Sequence, residues 1–173
     1  MGNSTPRTVT SIASTDNEAD TSVENMKHNY GDGVSSRIIV FNNTKDDMHF
    51  QSDQHFSGRW ENFPPAKIGP KEYGCFLHVK KSGAACGSVA CVEYSVGPNR
   101  TSKVYIGWDT PYCGKNNLGV ELFGKFEAPD DKEKLCCLSN GKKYTAYKEG
   151  YTGTGEFRAN DSSVKLFFEV TND

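Results

Sequence analysis

Ser102-Lys103-Val104-Tyr105-Ile106-Gly107-Trp108-Asp109 is the stretch whose reading decides the fold. Val104, Ile106 and Trp108 fall on one face by a period of two, with Lys103, Tyr105, Gly107 and Asp109 on the other. That alternation describes a strand with one buried and one wetter face, and it does not fit the wider spacing of an amphipathic helix.

Working outward, the same grammar repeats. Tyr73 to Val79 and Gly87 to Val96 read as strands before it, and Leu118 to Phe126, Tyr144 to Lys148, Gly155 to Arg158 and Val164 to Val170 read as strands after it. Gly-, Asn- or Asp-rich segments punctuate them. Arg37-Ile38-Ile39-Val40-Phe41 is β-branched and aromatic, and with Met48-His49-Phe50 across the turn cluster Asn42 to Asp47 it predicts a first hairpin. Between Phe56 and Pro65 large aromatics alternate with Gly58 and the pair Pro64-Pro65, which predicts an irregular loop. No long amphipathic helix emerges, so there are no crossover helices to support parallel pairing. The expected fold is all-β, a single antiparallel β-sandwich over residues 35–173. Residues 1–34 are dominated by Ser, Thr, Asn, Asp and Glu with almost no aromatic side chain, and are expected to form a disordered N-terminal arm.

Composition narrows the function. At 173 residues the chain suits one ordinary domain. Twenty Lys and Arg against 22 Asp and Glu leave a net charge of −2, without the basic excess that phosphate backbones demand, so nucleic acid is not an expected partner. The longest apolar runs fall far short of the roughly 20 residues needed to span a bilayer, and no transmembrane segment is expected. The polar N-terminus does not read as a secretory signal, and a cytoplasmic location follows. Met1-Gly2 opens a myristoylation pattern that Pro6 breaks, since Ser or Thr should stand there. In the cytosol Cys75, Cys86, Cys91, Cys113, Cys136 and Cys137 are expected as thiols. Their spacing lacks a pair of Cys-x-x-Cys knuckles, and neither a metal nor a cofactor is expected.

Catalytic signatures are missing. No nucleophile elbow, Walker loop, zincin helix or dinucleotide fingerprint is present. A nucleophilic pair would have to come from Cys75, Cys86 or Cys113 with His49, His55 or His78, and Cys75 and His78 point to opposite faces of one strand. The chain is therefore expected not to be an enzyme. What stands out is aromatic: Trp60, Phe63, Trp108 and Tyr112 lie in or beside loops, and such side chains join an apolar body to a polar handle at wet interfaces. These four are the expected ligand-binding residues, with Trp108 also placed to join Val104 and Ile106 in a core stripe.

Val40-Phe41-Asn42-Asn43-Thr44, His55-Phe56-Ser57-Gly58-Arg59, Pro64-Pro65-Ala66-Lys67-Ile68, Phe76-Leu77-His78-Val79, Gly87-Ser88-Val89-Ala90 and Ile106-Gly107-Trp108-Asp109-Thr110-Pro111 occur in this order. In order and spacing the chain resembles the plant jasmonate-induced protein family. The resemblance departs at His55-Phe56-Ser57-Gly58, where the family shows His-Asp-Trp-Ser-Gly. That family is similar to nakanori, a mushroom protein with an actinoporin-like β-sandwich that recognises sphingomyelin–cholesterol membranes. The resemblance implies this fold, with end loops that bind a polar lipid head group or, lectin-like, a glycan, in a plant stress- or defence-associated protein. The polar arm favours peripheral binding over insertion. An alternative is a module that binds another protein through a sheet edge or aromatic patch in a hormone-induced response, and a second is a cryptic Cys-dependent enzyme.

Overall fold

A computed structural model describes residues 5–172. In chain order the elements are β1 (Ile12–Ala13), α1 (Asp16–Tyr30), β2 (Ser35–Asn43), β3 (Met48–Ser57), β4 (Arg59–Asn62), β5 (Lys67–Ile68), β6 (Tyr73–Val79), β7 (Ser88–Val96), β8 (Ser102–Thr110), β9 (Asn117–Gly124), α2 (Lys132–Leu135), β10 (Lys143–Lys148), β11 (Tyr151–Ala159) and β12 (Ser163–Asn172). The chain is mostly strand, and its strands form two facing sheets. One sheet runs β1-β6-β2-β12-β11-β10 with β4 also on β6, and the other runs β5-β3-β7-β8-β9.

The core lies between the sheets, where Val104, Ile106 and Trp108 of β8 meet Ile38 and Val40 of β2, Phe76 of β6 and Leu166 and Phe168 of β12. The period-two reading of β8 thus describes the inner face. Tyr73–Val79 is a strand with the bounds its sequence suggests. The central strands β2, β6 and β12 are apolar on both faces, because the outer face of their sheet is covered as well.

The cover is α1, and here the structure departs from the sequence expectation. Residues 12–30, read as part of a disordered arm, form β1 and a 15-residue helix. Thr15 caps the helix by accepting from the Glu18 N–H at 3.2 Å, and the Glu18 carboxylate reaches back to the Ser14 N–H at 2.9 Å. Ala19, Val23 and Met26 pack on Ile39, Cys75, Leu77 and Phe167. Acids along the helix meet bases on the sheet: Glu24 pairs with Arg37 at 2.5 Å, Asp20 and Glu24 with Lys165 at 2.6 Å, and Asp16 with Arg158 at 2.7 Å. A short apolar stripe suffices because the sheet supplies the rest of the buried surface. The myristoylation pattern at Met1-Gly2 lies outside the described residues.

Two further expectations change. β2 and β3 do not form a hairpin: β2 belongs to the first sheet and β3 crosses to the second. One pair is parallel, β2 with β12 from Ser35↔Ser163 to Asn43↔Thr171, since the rest of the domain serves as the crossover that a helix would otherwise supply. Within the supposed irregular loop, residues 59–62 form β4 on the sheet edge.

On the outer face of the second sheet α2 rests on the facing glycines Gly107 and Gly119. A Cβ on Gly119 would lie 1.7 Å from the Leu135 carbonyl oxygen, so only glycine admits this approach. Among the described residues no helix is long and apolar enough to cross a membrane.

Candidate functional site

The ends of β2, β6 and β12 at Ser35, Val79 and Ser163 lie over the ends of β3, β7 and β8 at Ser57, Ser88 and Thr110. This pole of the sandwich is bolted by polar side chains. Ser36 Oγ lies 2.8 Å from Ser88 Oγ and 3.0 Å from Thr110 Oγ1. Ser88 Oγ lies 2.8 Å from His78 Nδ1, and His78 Nε2 lies 2.9 Å from His55 Nδ1. His55 Nε2 lies 3.2 Å from Asp53 Oδ2, which also accepts from Trp60 Nε1 at 2.5 Å. The chain of contacts passes from β8 to β2, β7, β6 and β3, so it ties the two sheets together. The Asp53 carboxylate can only accept, so it ends this chain of contacts, and the Ser88 hydroxyl also lies 3.2 Å from the His78 carbonyl oxygen. Burial, then the nearby His55, pushes the His78 imidazole down to about 3, keeping it neutral.

Trp60 and Trp108 wall this bolt. Their rings lie 4.9 Å and 5.6 Å from the His78 ring and 5.8 Å from each other. Trp108 is wholly buried and Trp60 is 8% exposed. The strand neighbours that make Trp108 alternate also carry its ring inward, and β4 folds Trp60 back against β6. The Trp108 Nε1 is a buried donor that finds no partner among the described residues.

The other two expected ligand residues are on the surface. Phe63 is 71% exposed and Tyr112 is 58% exposed. They are not neighbours. Arg59 pairs with Val79 and Asn62 with Leu77, so the chain at Phe63 is already leaving this pole for β5, which pairs with the far end of β3. Tyr112 stays at the pole and lines a cleft of about 520 Å³ with Pro111, Gly114, Lys115, Asn116, Asn140, Asn160, Asp161 and Ser162. Asn116 Nδ2 donates to Asn160 Oδ1 at 2.8 Å and to the Asp161 carbonyl at 2.9 Å, holding the two loops together. Asp161 Oδ1 accepts from the Ser163 N–H at 2.8 Å, which orients the carboxylate.

Lys115, Asn116, Asn140 and Asp161 were not among the expected ligand residues. Each sits in a turn cluster, and only the sheet pairing brings the turns after β8, α2 and β11 side by side.

A second cleft at the pole, about 340 Å³, is lined by His55, Phe56, Ser57, Gly58, Lys81, Ala84 and Cys86. It places His55 and Cys86 on one surface, but both imidazole nitrogens of His55 are already engaged, with His78 and Asp53. Cys75 is on the opposite face of β6, under α1, where burial pushes its thiol up to about 12.

Known proteins with the same pattern give this pole its context. A family model described as Nakanori-like protein matches residues 7–124, a span that begins before α1 and includes Tyr112. The chain belongs to the Nakanori-like protein family. Its resemblance to jasmonate-induced proteins also stands: it is 34% identical over 104 residues to a 23 kDa jasmonate-induced protein of Hordeum vulgare, covering 58% of this chain and 50% of that one. This Nakanori-like chain therefore spans about half the length of its barley relative. The crystal structure of the lipid binding protein Nakanori superposes with a TM-score of 0.80 at 21% identity, covering 89% of this chain and 79% of that one. The crystal structure of IP-1A from Alcaligenes faecalis gives 0.51 at 15% identity, over 80% of this chain and 91% of that one. RahU protein in complex with a TRIS molecule gives 0.52 at 10%, over 80% and 96%. These three matches establish the sandwich fold. The names of these similar proteins speak of lipid binding and of induction, and not of catalysis.

Proposed function

We propose that this Nakanori-like chain is a non-enzymatic, peripheral lipid-binding protein that takes a zwitterionic head group in the Tyr112 cleft. The observation that carries the reading is the composition of that cleft: one exposed aromatic ring, one cation and one oriented carboxylate around an open volume of about 520 Å³. The Tyr112 face and the Asp161 carboxylate suit a quaternary ammonium, and Lys115 with the asparagine amides suits the phosphate beside it. The likeness to a lipid-binding sandwich supports the same ligand class. Peripheral binding fits the helix as well, since the apolar residues of α1 are spent on the sheet and not presented to a bilayer. Part of the proposal is that the protein serves a hormone-induced stress or defence response, as the name of its barley relative suggests.

The test is flotation with vesicles of phosphatidylcholine, of sphingomyelin with sterol, and of a lipid lacking the choline group. Choline-dependent flotation should fall at least tenfold in Tyr112→Ala and in Lys115→Ala, both surface changes that leave the melting curve in place. Absence of flotation on every mixture, combined with retention on a glycan surface, overturns the lipid reading.

A further inference from the structure

The opposite pole carries a second exposed aromatic surface that the head-group reading does not use. Phe126, just past the end of β9, is 92% exposed, and Tyr147, on β10, is 67% exposed. Lys125 Nζ lies 5.5 Å above the Phe126 ring. Beside them Asn99 and Arg100 turn the chain into β8 with φ of 56° and 55°, a left-handed conformation that non-glycine residues adopt at a cost. Arg100, Lys103, Lys125 and Phe126 line a cleft of about 340 Å³, with Glu93 also in its wall.

Charge says what this pole fits. Lys103 is matched by Glu93 at 3.8 Å, and Lys148 by Glu127. Arg100 and Lys125 form no ion pair among the described residues, so two cations flank an exposed phenyl ring. One projecting ring flanked by cations is too small an apolar area for a stable protein interface, which needs roughly 600 Å² or more per partner. It does match a bilayer interface, where an aromatic ring sits at head-group depth and cations meet lipid phosphates or carboxylates.

We infer that the Phe126 pole is a contact surface for anionic bilayers. β8 separates it from the Tyr112 cleft, with Arg100 before its first residue and Tyr112 after its last, a nine-residue strand of roughly 30 Å. The poles face away from each other, so one flat membrane does not reach both. If the head-group reading of the Tyr112 cleft holds, the protein links two membranes.

Flotation on phosphatidylserine vesicles tests the surface by itself. The wild-type chain should float at low salt and lose most of that binding at high salt. Phe126→Ser and the double change Arg100→Glu with Lys125→Glu should each reduce it at least tenfold while leaving choline-lipid flotation unchanged. Phosphatidylserine binding that survives both variants overturns the inference, as does no binding at all. Lipid-free sedimentation showing a dimer that Phe126→Ser dissolves would overturn it too, by naming a second copy as the occupant. Linking is read with two vesicle populations, choline-lipid and phosphatidylserine, carrying different dyes. Co-flotation should need both poles and fail in either Tyr112→Ala or Phe126→Ser. Loss of choline-lipid binding alone would sink the head-group reading and leave this surface standing.

Discussion

His78 shows how one residue sets the behaviour of the pole. It is wholly buried, between Trp60, Trp108 and His55, and its imidazole is pushed from an ordinary 6.5 down to about 3. A base whose folded value is depressed binds no proton in the native state over a range where the unfolded chain does. The stability it supports is complete above 6.5 and is lost as the pH falls from there toward about 3, at ~1.4 kcal/mol per pH unit. Urea midpoints measured at pH 7, 6, 5 and 4 should fall steeply for the wild-type chain. In His78→Gln the midpoint at pH 7 should be lower, because the contacts to Ser88 and His55 are disturbed, but the acid slope should be shallower. Equal slopes would remove His78 as the cause. The motif His55-Phe56-Ser57-Gly58 was visible in the sequence, but its work was not. A periodic pattern assigns a side chain to a face, and says nothing about the Ser, His or Asp that another strand brings to it.

At the scale of elements, α1 is where the sequence was legible but underread. Thr15-Asp16-Asn17-Glu18 is a capping box, and Ala19, Ser22, Val23 and Met26 follow at helical spacing. The stronger signal lay elsewhere: Ile38-Ile39-Val40 and Leu166-Phe167-Phe168 are continuous apolar runs, which a sheet wet on one face does not carry. Something had to cover that second face. Because most of the buried area belongs to the sheet, the helix needs few apolar residues of its own, and composition alone made it resemble a disordered arm. Val23→Ala should lower stability by about 2 kcal/mol, from two lost methyl groups and the void they leave under the helix. The amide exchange of residues 16–30 should accelerate more than that of β8. A uniform change across the chain would show that α1 does not open separately.

At the scale of the whole molecule, the parallel pairing of β2 with β12 closes the larger sheet only when both ends of the folded body are present. Ser35 and Ser163 share both a backbone register and a side-chain hydrogen bond of 2.7 Å across 128 residues. Contacts so distant in sequence make folding slow, since loop closure precedes the contacts that offset it. A chain ending at Ser162 loses Val164, Leu166, Phe168 and Val170 from the core and exposes both flanking strands. It should show no cooperative thermal transition by circular dichroism. A cooperative melt without β12 would mean that the second sheet folds independently.

By itself the sequence determined the class of fold and most of the strands, because a period of two and turn residues are local properties that each segment carries alone. It also carries no nucleophile elbow, Walker loop, zincin helix or dinucleotide fingerprint. Only the tertiary structure decided which aromatics face inward, that β2 and β3 part to different sheets, and that three separate turns converge around Tyr112. Those outcomes depend on which strands become neighbours, and neighbourhood is fixed by burying both faces of a sheet at once, a condition no single segment contains.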